Sequence, residues 1–176
     1  VETRWEPLPA TISFGGVPVG YPPAAFLQAT EEGEAALVAA AREAVADAAT
    51  TADLFAGLGT FALNLPGKVY AAEAARDAIL SLKSAAARAG RPVFTEHRDL
   101  FRRPLTTAEL DRFGAVLLDP PRAGAREQAA QLADAQPVIC YISCNPSSFA
   151  RDAKTLYHSG YRLEWARPVG QFSPSL

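Results

Sequence analysis

The stretch that decides the fold is "TADLFAGLGTFALNLPGKVYAAEAARDAILSLKSAAARAG", residues 51–90. Within it, the strand-like segments "TADLFAG" and "KVYAAE" alternate with the helix-like segments "TFALNL" and "ARDAILSLKSAAARAG". The last segment ends at Gly90, where a helix C-cap is expected. Strands that alternate with helices in this way are joined by right-handed crossovers, so the pattern predicts parallel strands.

The same alternation continues to residue 169 and predicts an α/β fold with a doubly wound, mostly parallel sheet. Strands are expected at residues 92–100, 115–121, 137–146 and 161–169, and helices at residues 106–113, 126–135 and 147–160. Upstream, "ATISFGGVPVG" predicts a hairpin at residues 10–20, and Thr30 is the predicted N-cap of a helix that runs to residue 49. We therefore divide the chain into a hairpin and connector, residues 1–25, and one domain, residues 26–176.

Composition limits the functional classes. With 176 residues and 49% apolar side chains, the chain is typical of one globular domain. A net charge of -2 argues against a general polyanion binder, because affinity for nucleic acids depends largely on Lys and Arg. Cys140 and Cys144 are the two cysteines, so we expect neither a zinc site nor a disulfide framework, and no metal. No run of about 18 apolar residues occurs, so we expect no membrane partner and a cytoplasmic location.

The ends of the predicted strands carry the candidate binding residues, because ligands of open α/β sheets lie outside the carboxyl ends of the strands. Four of these ends carry a carboxylate: Asp53, Glu73, Asp99 and Asp119. A glycine turn at Gly57 and Gly59, followed by Glu73, is typical of adenosine binding. The spacing Gly57-x-Gly59-x-x-Ala62 also satisfies the dinucleotide pattern, which leaves a nicotinamide-dependent oxidoreductase as an alternative.

Two further strand ends help to distinguish a methyltransferase from a nicotinamide-dependent oxidoreductase. In "LLDPPRAG", residues 117–124, two prolines make a rigid loop that fixes Asp119 toward the cleft. Methyltransferases that use adenosylmethionine (AdoMet) on a planar target commonly carry such a loop. Cys140 lies within "VICYI" and is expected to be a small buried hydrophobe. Cys144 follows the strand and precedes a helix, a position that suits either a nucleophile or an inert thiol.

Four segments occur together in a recognisable order and spacing: "FLQAT", "DLFAGLGTF", "LLDPPRAGA" and "YISCNPSSFARD". Through them, residues 26–176 resemble the RNA uracil-C5 methyltransferases, which make 5-methyluridine in transfer and ribosomal RNA. The resemblance implies a Rossmann-like class I AdoMet-dependent methyltransferase fold, AdoMet as cofactor and RNA as partner. The chain departs from the family at Ala56, where the family usually has Cys, and in "LKSAAARAG", where it usually has asparagines.

The resemblance also assigns roles to residues. It places AdoMet contacts on seven positions: Gln28, Phe55, Gly57, Thr60, Glu73, Asp99 and Asp119. It makes Cys144 the nucleophile, whose thiolate adds to C6 of uracil so that C5 can attack the methyl group. We further expect Asp119, Arg122 and Asn145 to surround the target base.

In the family the base that removes the C5 proton is the glutamate of a His-Val-Glu triplet, which follows a Phe-x-x-Ser/Thr segment. This chain has "QFSPSL" at residues 171–176, so we expect the base and the last strand of the sheet to lie beyond Leu176. The chain would then be a catalytic core that cannot turn over alone.

Three further alternatives stay open. Cytosine-C5 enzymes usually carry a cysteine where Pro120 and Pro121 stand, and amino-group enzymes carry an aromatic residue in place of Arg122. A non-catalytic adenosine-binding fragment is the third. The RNA and the uridine that are modified cannot be deduced from these residues.

Overall fold

The computed structural model describes residues 10–23 and 25–170. The strands of this part are β1 Thr11–Phe14, β2 Val17–Gly20, β3 Thr50–Leu54, β4 Lys68–Glu73, β5 Val93–His97, β6 Ala115–Leu118 and β7 Val138–Tyr141. The helices are α1 Glu31–Ala44, α2 Arg76–Arg88, α3 Thr107–Leu110, α4 Arg126–Leu132 and α5 Pro146–His158.

The strands form an antiparallel hairpin and a parallel sheet. β1 pairs with β2, as the sequence predicted, and the other five strands form one sheet in the order β5-β4-β3-β6-β7. All four pairs in this sheet are parallel. The central strand β3 lies between β4 and β6. From β3 the chain proceeds to β4 and β5 on one side of the sheet, and then returns to form β6 and β7 on the other side. This arrangement confirms the predicted doubly wound α/β fold and creates a switch point beside β3.

Side-chain alternation along the strands builds one core on each face of the sheet. Ala52 and Leu54 of β3 point into a core formed with α3, α4 and α5, whose buried residues include Leu132. The opposite face packs against the hairpin, α1 and α2, with Ala71 of β4 and Leu82 of α2 fully buried. Because both faces are covered, β6 is apolar throughout, and the central strand β3 is buried from Thr51 to Leu54.

Local signals explain most helix ends. The Thr30 side chain accepts a hydrogen bond from the Gly33 amide at 3.1 Å and starts α1 where the sequence predicted. The helix ends at Ala44, five residues before the predicted end at residue 49. α2 and α5 are followed by Gly90 and Gly160, whose φ angles of +60° and +103° only glycine adopts readily.

The predicted helix at residues 60–65 is wrong. This segment consists of turns with isolated backbone bonds, such as Leu63 N to Gly59 O at 3.0 Å. The φ angles of Gly57 and Gly59 are +54° and +93°, outside the right-handed helical region, so a regular helix cannot begin at these residues. Pro66 has no amide hydrogen for a helical hydrogen bond, so a helix is not continued beyond residue 65.

The predicted strand at residues 161–169 is also wrong. The segment is irregular and mostly exposed, and its backbone does not join the ladder of β7. Side chains fix it instead: the Tyr161 hydroxyl lies 3.0 Å from the Ala135 carbonyl oxygen, and Arg167 pairs with Glu43 of α1 at 3.0 Å. The strands predicted at residues 92–100, 115–121 and 137–146 exist but end earlier, at β5, β6 and β7 as given above.

Candidate cofactor and catalytic site

The carboxyl ends of β3, β4, β6 and β7 meet at one edge of the sheet, which we call the site edge. Leu54 lies opposite both Ala72 and Leu118 in the parallel register, and Leu118 lies opposite Tyr141. The Asp119 amide donates to the Leu54 carbonyl at 3.3 Å. The residues that follow these strands are therefore brought together, as the sequence predicted.

Glu73, at the end of β4, is held by backbone amides on both carboxylate oxygens. Its Oε2 accepts from the Gly57 amide at 2.9 Å, and its Oε1 accepts from the Ala75 amide at 2.7 Å. The bond to Gly57 connects the turn that contains Gly57, Gly59 and Thr60, here called the glycine loop, to the end of β4. Each oxygen keeps a free lone pair, so the fixed carboxylate can accept two hydroxyl groups from a ribose.

An aromatic pair and a second carboxylate lie beside Glu73. Phe55 has a φ angle of +65°, which is rare for a residue other than glycine, and its ring centroid is 5.4 Å from that of Phe101. Asp99 Oδ1 accepts from the amides of Phe101 and Arg102 at 3.0 and 3.3 Å. Sequence reasoning missed Phe101, although an aromatic residue two positions after a strand-end carboxylate was a usable signal.

Asp53, which the sequence offers as a strand-end carboxylate, has no role in the set that the resemblance implies. Its side chain is fully buried, and neither carboxyl oxygen has a hydrogen-bond partner. Burial first and the neighbouring Asp119 second raise the pKa of Asp53 to about 8. Burial also raises the pKa of Asp119 to about 7. The sequence could not reveal that both carboxyls lack a cationic partner.

No ion pair within the described ranges involves Asp53, Glu73 or Asp119. Carboxyl groups gathered without cations favour a positively charged ligand, since a cation would offset their mutual repulsion. The sulfonium and ammonium groups of AdoMet fit this requirement. A dinucleotide fits poorly, because residues 60–65 form no helix whose N-terminus could hold a pyrophosphate.

The two cysteines have different environments. Cys140 of β7 is 8% exposed and belongs to the core, where burial raises the pKa of its thiol to about 11. This confirms the prediction of a small buried hydrophobe. Cys144 is exposed and lies in the short segment between β7 and α5, at the site edge.

Asn145 joins the Cys144 segment to the loop after β6. Its Oδ1 accepts from the Ser147 amide at 3.1 Å and caps α5, while its Nδ2 donates to the Arg122 carbonyl at 2.9 Å. Both polar atoms of Asn145 thus serve the fold, and contact with a target base stays a prediction. The Arg122 side chain is exposed and makes no ion pair within residues 10–23 and 25–170.

Side chains of helix α5 also hold the loop after β6, and the sequence did not predict these contacts. Asp152 is 1% exposed, and its Oδ2 accepts from the Ala125 amide and the Tyr141 hydroxyl, both at 2.7 Å. Arg151 donates to the Ala123 carbonyl at 2.9 Å. The "FARD" part of the last motif therefore fixes the loop that begins at Asp119.

Gln28 and Thr60 complete the predicted set. Gln28 is half-buried in the segment that leads into α1, and Thr60 is half-buried in the glycine loop. The structure thus joins Gly57 to Glu73 and Asn145 to Arg122 by direct contact. It places Phe55, Asp119 and Cys144 on the same edge.

Residues 10–23 and 25–170 contain no cluster of three His, Cys, Asp or Glu side chains able to hold a metal ion. None of their helices combines the length and the apolar character that a membrane crossing requires.

The fold and the site edge define a Rossmann-like AdoMet-dependent methyltransferase domain. The tRNA (uracil-5-)-methyltransferase family model matches residues 24–173, and the chain belongs to this family. AdoMet is the cofactor of the family.

Known relatives and structures agree with this placement. An uncharacterized RNA methyltransferase of Zymomonas mobilis is 60% identical over 179 residues, which cover 100% of this chain and 45% of the relative. The 23S rRNA (uracil(1939)-C(5))-methyltransferase RlmD of Pseudomonas fluorescens is 39% identical over 163 residues, covering 88% of this chain and 36% of RlmD. The chain thus spans less than half the length of these curated relatives.

Among solved structures, the tRNA (uracil-54, C5)-methyltransferase of Pyrococcus abyssi in complex with S-adenosyl-L-homocysteine superposes with a TM-score of 0.77. It is 27% identical, and the match covers 91% of this chain and 40% of that chain. The Thermus thermophilus 16S rRNA methyltransferase RsmC has a TM-score of 0.64 at 21% identity, covering 86% of this chain and 45% of RsmC, and supports the fold alone.

Proposed function

We propose that this chain is the catalytic part of an enzyme that transfers a methyl group from AdoMet to C5 of a uridine in RNA. The observation that carries the proposal is the exposed Cys144 at the site edge, in a segment that Asn145 ties to the loop after Asp119. Family membership supports the same chemistry.

The chain's residues divide into a cofactor set and a target set. Glu73 accepts the ribose hydroxyls, Phe55 and Asp99 flank the adenine, and Gln28, Gly57 and Thr60 complete the cofactor contacts. Asp119, Arg122 and Asn145 border the flipped-out target base. AdoMet supplies the electrophilic methyl group when bound.

Cys144 makes the target reactive. C5 of uracil is a poor nucleophile, so the Cys144 thiolate adds to C6 and forms an S–C6 bond, which moves electron density to C5 and O4. C5 then takes the methyl group, and the sulfonium sulfur keeps the electron pair of the broken S–CH3 bond and becomes a neutral thioether. A base next removes the C5 proton, and the electron pair of that C–H bond restores the C5–C6 double bond as the thiolate leaves. In the family that the chain resembles, this base is a glutamate.

The buried Cys140 provides a matched control for the covalent step. In the full-length protein incubated with RNA and AdoMet, we expect a protein–RNA species that survives denaturation, detected on a denaturing gel. Cys144→Ala should abolish both this species and methyl transfer, whereas Cys140→Ala should retain both. Methyl transfer at the normal rate by Cys144→Ala, with RNA and cofactor bound, would refute covalent catalysis by this thiol.

A further inference from the structure

Asp53 combines complete burial with a missing partner. Its carboxyl oxygens and the nearby Thr51 hydroxyl make no hydrogen bond, although both residues have 0% exposure. A buried polar group without a partner destabilises a fold by roughly 1–3 kcal/mol, and an ionised one by more. A carboxyl in this environment therefore holds a proton until a cation approaches.

The groups around Asp53 provide no such cation. Asp53 lies opposite Leu117 of β6 and Ala71 of β4, so the ends of these two strands set its surroundings. The charged or titratable groups that act on it or share its surroundings are Asp119, Glu73 and Cys140, each of which is neutral or negative. The Ala62 backbone is near enough to lower the pKa of Asp53, but it makes no well-formed hydrogen bond to either oxygen, and its effect is weaker than those of burial and Asp119.

We propose that Asp53 and Asp119 act as a carboxyl pair that retains one proton in the absence of AdoMet and releases it when AdoMet binds. AdoMet and its product S-adenosyl-L-homocysteine (AdoHcy) carry the same ammonium and carboxylate, and they differ by the positive sulfonium. Methyl transfer turns this sulfonium into a neutral thioether, and the pair then regains a proton from solvent. The carboxyl pair would thus favour the methyl donor over the spent cofactor and assist product release.

The proposal fixes a direction for pH. A nearby cation lowers carboxyl pKa values, so the protein with AdoMet binds fewer protons than the protein with AdoHcy. The affinity for AdoMet relative to AdoHcy should therefore rise as pH increases through about 7 and 8, the pKa values of Asp119 and Asp53. A pKa decrease of one unit corresponds to about a tenfold change in that affinity ratio.

Calorimetric titration of the full-length protein tests this linkage without RNA. AdoMet and AdoHcy would each be titrated from pH 6 to pH 8.5, roughly spanning both pKa values, in two buffers of different ionisation enthalpy, which reports the protons released. The ligands' own amino groups titrate near pH 8. The same titrations with Asp53→Asn remove this contribution, because it is common to both proteins.

Wild-type protein should release more protons with AdoMet than with AdoHcy, and its affinity ratio should rise about tenfold over this range. Asp53→Asn should lose that excess. An equal pH dependence in wild-type protein and Asp53→Asn would overturn the proposal.

Infrared spectroscopy of the wild-type protein gives a second measurement that does not depend on the variant. A band from a protonated carboxyl should be present at pH 7 with AdoHcy and disappear with AdoMet. Its persistence with AdoMet would overturn the proposal, while the use of AdoMet and the modification of uridine would remain intact. A failure of AdoMet to bind at all would instead overturn the cofactor assignment.

Discussion

Replacement of Glu73 by glutamine tests the cofactor site most closely, because this carboxylate joins the glycine loop to β4. Both Glu73 oxygens accept backbone amides, from Gly57 at 2.9 Å and from Ala75 at 2.7 Å. Glutamine presents an NH2 group at one of these positions, so a donor faces a donor. The variant loses one charge-assisted bond and the charge that favours a ribose hydroxyl.

The expected loss of cofactor affinity follows from these bonds. One hydrogen bond to a charged group contributes about 1.5–3 kcal/mol. Glu73→Gln should therefore weaken AdoHcy binding by about 10- to 150-fold. Titration calorimetry on the full-length protein measures this loss, and faster hydrogen exchange at the Gly57 and Ala75 amides should accompany it.

The control is Glu127→Gln, an exposed position in the first turn of α4, which should leave affinity and exchange unchanged. Unchanged AdoHcy affinity in Glu73→Gln would refute the ribose assignment. Unchanged protection of the Gly57 amide would refute the role of Glu73 in ordering the loop.

Three further predictions concern stability and loop position. Gly59→Ala should lower the free energy of unfolding by about 1–3 kcal/mol in a denaturant titration, because its Cβ would lie 2.4 Å from Leu82 Cδ1 at a φ angle of +93°. The Arg98 guanidinium lowers the pKa of Glu109 to about 2, so this pair stabilises the fold above about pH 4.5 and loses that contribution as pH falls through 2; Glu109→Gln should flatten the acid side of a stability–pH curve. Asp152→Asn should reduce methyl transfer to RNA while AdoHcy affinity stays normal, because the side chain anchors the loop after β6 and contacts no assigned cofactor residue.

Each of these variants has a matched control. Gly160 has a similar φ angle, +103°, but an added Cβ there meets no atom within 4 Å, so a loss in Gly160→Ala as large as that in Gly59→Ala would disprove the clash. Glu127→Gln is also the control for Glu109→Gln. If both variants change stability equally at acid pH, the pairing of Glu109 with Arg98 is contradicted. Asp134→Asn, exposed after α4, controls for Asp152→Asn; weakened AdoHcy binding in Asp152→Asn would show a broader structural role.

The sequence was sufficient for the five parallel strands β3 to β7 and for the residues at their ends, since parallel topology brings consecutive strand ends to one edge. In this way the sequence placed Glu73, Asp119 and Cys144 at the site edge. Short-range patterns misjudged residues 60–65, where positive φ angles at glycines override helix-forming composition. They also misjudged residues 161–169, because a strand depends on a partner that periodicity does not reveal.

The roles of Asp152 and Asp53 could not be predicted from the sequence for a different reason. Asp152 acts through contacts 27 residues away in the chain, at the Ala125 amide, and no local pattern encodes such a distance. Asp53 was visible as a strand-end acid, but its lack of any hydrogen-bond partner is a property of the packed structure. Sequence reasoning thus located the edge, and packing determined which side chains on it are fixed and which carboxyls lack a partner.

The identity of the modified nucleoside is the decisive test of methyl transfer to C5 of uridine. The full-length protein would be incubated with unmodified RNA and AdoMet carrying an isotopically labelled methyl group, and the RNA would then be digested to nucleosides and analysed by mass spectrometry. We predict that the label appears in 5-methyluridine, and that Cys144→Ala incorporates none. Label in 5-methylcytidine, or in a nucleoside methylated on nitrogen, would show that the enzyme does not modify C5 of uridine.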